Sequence, residues 1–222
     1  MTNVDLSVRW LGRITFADAL ALQEEIVARK KEHRDAADEI LLLEHDPVYT
    51  IGRTPDKSSL LGAAHLPHPL FAINRGGQAT YHGPGQLMAY PIVDLRRCGQ
   101  DLHKYLRWLE QTLIEFLARY AISATRREGL TGVWIDNRKI ASIGVGVRHW
   151  ITMHGFALNV CGDLSAFAHI VPCGISNVTM TSIERETRKA TSVHEVAGQF
   201  EKVVREAMRE LRCNQDAHAL AR

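Results

Sequence analysis

The 222-residue sequence predicts an α+β fold. Three observations carry that prediction. Three stretches repeat apolar residues at the helical period, and seven shorter runs are rich in β-branched residues and bounded by Gly, Pro, Asn or Asp. The strand-like runs also come in pairs ahead of a helix, without the strict βα alternation of a doubly wound sheet.

The first helix is expected in "TFADALALQEEIVARKKEH", where Thr15 and Asp18 form a capping pair and Phe16, Ala19, Leu20, Ile26 and Val27 gather near one face. The runs "EILLLEH", "VYTIG", "LFAIN" and "QLMAYPIVDL" follow as strands. A second helix, "DLHKYLRWLEQTLIEFLARY", begins at the N-cap Asp101 and keeps Tyr105, Leu109, Leu113 and Phe116 in register. Next come the strands "TGVWID", "KIASIGVGV" and "ITMHGFALNV", the first two joined by a hairpin turn at Asp136 to Arg138. In the last helix, "SVHEVAGQFEKVVREAMREL", Ser192 pairs with Glu195 and Val196, Phe200, Val203 and Val204 share a face.

Length and a hydrophobic content of 45% fit one domain, placed at 1–212, with a polar tail at 213–222 for which disorder is the expectation. A net charge of +2 gives no polyelectrolyte signal, so neither nucleic acid nor a membrane is an expected partner. The longest fully apolar cluster, "ILLL" at 40–43, is far short of the ~20 residues of a membrane span. Cys98, Cys161, Cys173 and Cys213 form no CxxC pair, and the opening residues lack a basic-then-apolar signal region; reduced thiols in the cytoplasm are expected.

The segment "NRGGQATYHGPGQLMAY" departs from an ordinary turn. Its glycines let backbone approach a ligand, Arg75 precedes two of them, and the alternation in "QATYH" puts Thr80 and His82 on one face. Its spacing matches neither a Walker loop nor a dinucleotide fingerprint. On residues alone it reads as a binding surface or as a twisted hairpin with satisfied polar groups. Cys173, between Pro172 and Gly174, has the exposure and backbone room of a nucleophilic thiol, although a single cysteine is more often a small buried hydrophobe. Lys139, beside a turn, reads locally as a solvated lysine. His82, His149 and His154 are candidate bases. The pair His65 and His68 has no third ligand at matching spacing, so no metal site is expected.

Taken together, "RGGQATYHGPGQLMAYPIVDL", "GVWIDNRKIASIGVGVRHWITMHGFALNV" and "PCGISNVTMTSI" resemble the lipoyl(octanoyl) transferase family over most of the chain from about His45 to Ile183. The resemblance implies a mixed β-sheet with packed helices, as in the catalytic domain of biotin and lipoate protein ligases. It implies that Cys173 is the acyl-thioester nucleophile and that Lys139 lowers its pKa. Arg75, Gly76, Gly77, Gln78, Ala79, Thr80, Tyr81 and His82 would then line the substrate pocket with Ser142, Ile143, Gly144, Gly155, Phe156 and Ala157. The implied donor is octanoyl-acyl carrier protein. The implied acceptors are lipoyl domains of 2-oxoacid dehydrogenase complexes and the glycine cleavage H protein. No cofactor is called for, because thioester-to-amide transfer runs downhill without ATP.

Backbone N–H groups near Gly174 or Gly76 are the expected oxyanion donors. Two rivals differ in kind. An ATP-dependent lipoate or biotin ligase would share the fold without needing Cys173. A binding module would gather Arg53, Arg75, Arg126, Arg127 and Arg148 into a basic face.

Overall fold

In the computed structural model, residues 6–54, 56, 58–61, 65–175 and 178–219 are described, the last seven as helical backbone alone. The main sheet is mixed. Its strands are β1 (Leu6–Ile14), β2 (Asp38–His45), β6 (Gln86–Ile92), β7 (Thr125–Arg127), β8 (Leu130–Ile135), β9 (Arg138–Arg148), β10 (Ile151–Asn159) and β11 (Thr179–Met180). They lie in the order β1-β2-β6-β10-β9-β8-β7, with β11 paired to β9. The β1–β2 and β11–β9 pairs are parallel and the others antiparallel. A second small sheet, β4-β3-β5, holds β3 (Val48–Ile51), β4 (Leu70–Ala72) and β5 (Thr80–His82).

The "ILLL" run is continuous because β2 is covered on both faces, where a half-solvated strand would alternate. Ile40 and Leu42 point to a core shared with α2 (Leu102–Ala118) and with α4 (Val193–Ala219), which follows the short α3 (Ile183–Thr187), whereas Leu41 and Leu43 point to a core under α1 (Phe16–Glu32). Within the first core Phe200 meets Phe116 and Phe156 edge-on, each at a centroid distance of 5.2 Å. A side chain of that size, fully buried, contributes roughly 1.5–3 kcal/mol by leaving water.

The helix starts follow from local chemistry. Thr15 accepts the Asp18 N–H at 3.1 Å, Asp101 accepts that of Lys104 at 3.0 Å, and Ser192 and Glu195 cap each other reciprocally. α4 runs to Ala219, beyond the apolar stripe that ends near Leu211; residues 220–222 of the expected tail lie outside the described residues. β1, which the sequence reading does not single out, is the edge strand beside β2.

Asp38, Glu110 and Lys139 are charged groups wholly inside. Asp38 is 0% exposed and receives Lys30 at 2.8 Å, Arg97 at 3.0 Å, Arg212, and the backbone N–H of Asp94 at 3.1 Å. It ties α1, β2, the 94–97 turn and α4 into one knot. Burial pushes the Lys30 ammonium below its ordinary value, and the Asp38 carboxylate pulls it back up. No helix among the described residues is long and apolar enough to cross a membrane.

Candidate active site

Cys173 sits in a single tight turn, Pro172–Gly174, with left-handed backbone (φ 57°, ψ 19°). Such a conformation costs a non-glycine residue on the order of 1–2 kcal/mol, so its neighbours must impose it. They do so by hydrogen bonds. The Cys173 N–H donates to Ala79 O at 2.9 Å, Val171 N–H to Ser59 O at 2.8 Å, and Gly174 N–H to Val171 O at 2.9 Å. The thiol turn is thereby fastened to the end of the glycine-rich segment.

Lys139 reaches the same place from β9. Its Nζ lies 3.2 Å from Cys173 Sγ and donates to Thr131 O at 3.2 Å, and it stands 5.1 Å above the Trp134 ring. The side chain is 0% exposed, the opposite of the solvated turn lysine that its local sequence describes. Gly132 on β8 explains how an ammonium stem fits there. A Cβ at that position would lie 2.8 Å from Lys139 Cε and 2.7 Å from Ala141 O, and φ there is +128°. The hairpin register, with Trp134 opposite Lys139, brings the aromatic face underneath.

The thiol is partly buried, and burial alone pushes its pKa up. The Lys139 ammonium, by charge and hydrogen bond, then the Arg75 guanidinium and the Ser142 hydroxyl, outweigh that burial and hold the thiol below its ordinary value. Ser142 Oγ lies 4.0 Å from the sulfur.

Arg75 is 6% exposed and held by four hydrogen bonds. Nη2 donates to Thr50 O (3.1 Å), Thr50 Oγ1 (2.9 Å) and Gln78 O (2.9 Å), and Nη1 to Gly76 O (2.8 Å). Gly144 lacks a Cβ where one would meet Arg75 Cδ at 2.8 Å, so the guanidinium stem lies flat against β9. A directional chain continues from it. Thr50 Oγ1 is 3.3 Å from His82 Nε2, His82 Nδ1 is 3.4 Å from Gln86 Oε1, and Gln86 Nε2 donates to Tyr81 O at 3.2 Å. With Gln86 oriented by Tyr81 O, His82 carries its proton on Nδ1 and accepts from Thr50 on Nε2.

The structure therefore brings together Arg75, Thr80, His82, Ser142, Ile143, Gly144, Gly155, Phe156, Ala157 and Cys173 around one crevice, with Phe16, Ile73, Met88, Tyr90 and His154 completing the wall. It places others elsewhere. Tyr81 points to the opposite face of β5, packed with Tyr49, His68 and Phe167, as strand alternation requires. Gln78 lies over Gly174 beside the thiol turn with its Nε2 donating to Asp56 at 3.2 Å, Gly76 and Gly77 serve by backbone, and Ala79 contributes its carbonyl to Cys173. Of the N–H groups in the two expected oxyanion regions, that of Gly174 is spent on Val171 O and that of Gly76 on Val145 O at 3.1 Å. The basic face of the binding-module rival is also broken up, since Arg75 is interior and Arg126 bonds Glu110 at 3.1 Å. Thr50, Gln86, Thr131, Gly132 and Trp134 are site residues the sequence reading did not name.

His45 and His154 are held down to about 4, and His82 well below its ordinary value, in each case first by burial. These rings are neutral and weakly basic in the fold and ordinary in the unfolded chain, where histidine titrates near ~6.5. The stability they secure is complete above that pH and is lost as the pH falls toward about 4. Urea midpoints at pH 7 and pH 5 check this: the midpoint is expected to fall, and an unchanged one contradicts it.

Comparison with known proteins agrees with this fold. Solved structures share the fold: a bi-partite lipoate protein ligase from Thermoplasma acidophilum matches with a TM-score of 0.68 at 16% identity, over 93% of this chain and 85% of that one. A biotin protein ligase from Aquifex aeolicus matches with 0.56 at 15% identity, over 93% and 72%. Residues 15–205 match the family model described as lipoyl protein ligase A/B catalytic domain, and the chain belongs to that family. Among its relatives is an octanoyltransferase of Geobacter sulfurreducens, 50% identical over 83% of this chain and 77% of that protein.

Proposed function

We propose that this protein is an octanoyltransferase that works through a thioester on Cys173. It takes the octanoyl group from octanoyl-acyl carrier protein and gives it to a lysine of lipoyl domains, those of 2-oxoacid dehydrogenase complexes and of the glycine cleavage H protein, in the cytoplasm. The observation that carries the mechanism is the buried ammonium of Lys139 at 3.2 Å from the Cys173 sulfur.

The steps balance with these two groups. The Cys173 thiolate attacks the donor's thioester carbon, a new C–S bond forms, and the carrier thiol leaves with a proton from the Lys139 ammonium. The resulting Lys139 amine takes a proton from the neutral incoming lysine as that nitrogen attacks. The C–N bond forms, the Cys173 C–S bond breaks, and the thiolate–ammonium pair returns. Splitting the transfer at sulfur replaces one difficult step by two easier ones. Exchange between thioesters is nearly isoenergetic and amide formation is downhill, so no nucleotide enters.

Intact-mass analysis after mixing with octanoyl-acyl carrier protein alone, free of nucleotide and magnesium, tests the reading. One octanoyl mass is expected, mapped to Cys173 and released by hydroxylamine. Turnover without any adduct would exclude the thioester, and transfer dependent on ATP would move the chain to the ligases whose fold it shares.

A further inference from the structure

Acyl transfer through a tetrahedral intermediate places negative charge on the carbonyl oxygen, and a donor must meet it. The usual source is backbone N–H at the nucleophile's own turn. Here that source is exhausted. The N–H groups of Cys173, Gly174 and Ile175 donate to Ala79 O, Val171 O and Pro172 O at 2.9, 2.9 and 3.1 Å, and Gly76 N–H is spent on Val145 O. Arg75 Nη2 is taken up by Thr50 and the Gln78 carbonyl, and Nη1 donates to Gly76 O. Ser142 faces the sulfur itself, its Oγ 4.0 Å away and accepting from the thiol.

A side-chain hydroxyl in the crevice supplies a donor of another kind. Thr80 is 4% exposed, and its hydroxyl oxygen is buried without a hydrogen-bond partner. Among the described residues several buried polar side-chain atoms are unpartnered, but of these only Thr80 Oγ1 belongs to a residue lining the crevice that holds Cys173. Its position is fixed relative to the thiol, because Ala79 O, one residue earlier, accepts the Cys173 N–H. A buried hydroxyl left unpaired is costly to the fold, and such an atom calls for a reason.

We propose that Thr80 is a catalytic residue whose hydroxyl donates to the carbonyl oxygen of the acyl group as Cys173 attacks it. In the tetrahedral state the Sγ–C bond is formed, the carbonyl π pair sits on oxygen, and the Thr80 O–H points at that oxygen without transferring its proton. When the C=O bond reforms, the leaving thiolate takes its proton from Lys139 and Thr80 is unchanged. The same hydroxyl serves the second step, because the thioester on Cys173 presents its carbonyl at the same place. This rests on the thioester reading above.

Thr80→Val, which keeps the shape and removes the hydroxyl, and Thr80→Ser, which keeps the hydroxyl, test it together. The rate at which the octanoyl mass appears on Cys173 under saturating donor is expected to fall about 10²–10³-fold in Thr80→Val and to stay within about ten-fold of the parent in Thr80→Ser. Two further readouts separate this from a structural role. The pH profile of iodoacetamide alkylation of Cys173 is expected to be unshifted in Thr80→Val, and its melting midpoint equal to or above the parent's, since an unpaired buried hydroxyl has been replaced by a methyl group. Acylation at the parent rate in Thr80→Val overturns the proposal, as does a shifted alkylation profile or a lowered melting midpoint. A parent enzyme that turns over without forming the adduct defeats the thioester reading itself, and that control is read before either variant.

Discussion

Replacing Lys139 by alanine is expected to move iodoacetamide alkylation of Cys173 to higher pH and to cut octanoyl transfer by about 10³-fold. Both effects have one source. Burial opposes the thiolate, and the Lys139 ammonium at 3.2 Å leads the groups that overcome it. Without that charge the thiol returns to or passes above its unperturbed value near ~8.5, so less thiolate is present at neutral pH. The departing thiol and the incoming amine also lose their proton partner, so acylation and aminolysis decline together. Lys139→Arg separates charge from proton transfer. A guanidinium holds its proton at any working pH, so the alkylation profile is expected to remain low while turnover stays impaired. Equal alkylation profiles and equal turnover in the parent and both variants would sink the assignment.

Asp38→Ala is expected to destabilise the fold by about 3–5 kcal/mol, read from urea unfolding, with the alkylation profile of Cys173 unchanged. Removing this 0%-exposed carboxylate leaves the buried Lys30 ammonium and two guanidinium groups facing one another, and leaves the Asp94 N–H without its acceptor. Asp38→Asn, which preserves an acceptor oxygen, is expected to fall between alanine and the parent. A midpoint unchanged in both variants would show that the cations relax outward into water at no cost.

Much of the fold can be read from short-range pattern. The capped amphipathic stripes of α1, α2 and α4 and the unbroken apolar run of β2 follow from periodicities that local chemistry produces. β1 is less legible: Leu6, Val8 and Trp10 alternate with Ser7 and Arg9, but Leu11 and Gly12 break the alternation where the pairing register shifts. Cys173 stood out through the proline and glycine beside it. Lys139 did not, because what buries it is a missing Cβ at Gly132 and an aromatic ring at Trp134, both across a hairpin. Tyr81 was grouped with its neighbours by motif alone, although the alternation that put Thr80 and His82 on one side already turned Tyr81 away. The oxyanion donors were the least legible part. Which N–H groups remain unspent is decided by long-range pairings such as Cys173 to Ala79 and Gly76 to Val145, which no local pattern encodes.

The knot at Asp38 also bears on the order of assembly. Lys30 lies 8 residues from Asp38 and Arg97 lies 59, but Arg212 closes on it across 174 residues, and Arg205 closes on Leu6 O across 199. Early in folding, loop-closure entropy favours the nearer partners, so the carboxylate acquires its first cation from α1 and its last from α4. On a growing chain, synthesised from the N-terminus, β1 and β2 are made long before the helix that carries those two arginines and covers their face. Until α4 arrives, Ile40, Leu42 and Phe156 lack Phe200 and its neighbours as cover. The part of the apolar face that α4 covers therefore stays open to the surrounding solution until that helix is made, the interval in which association with other unfinished chains competes with folding.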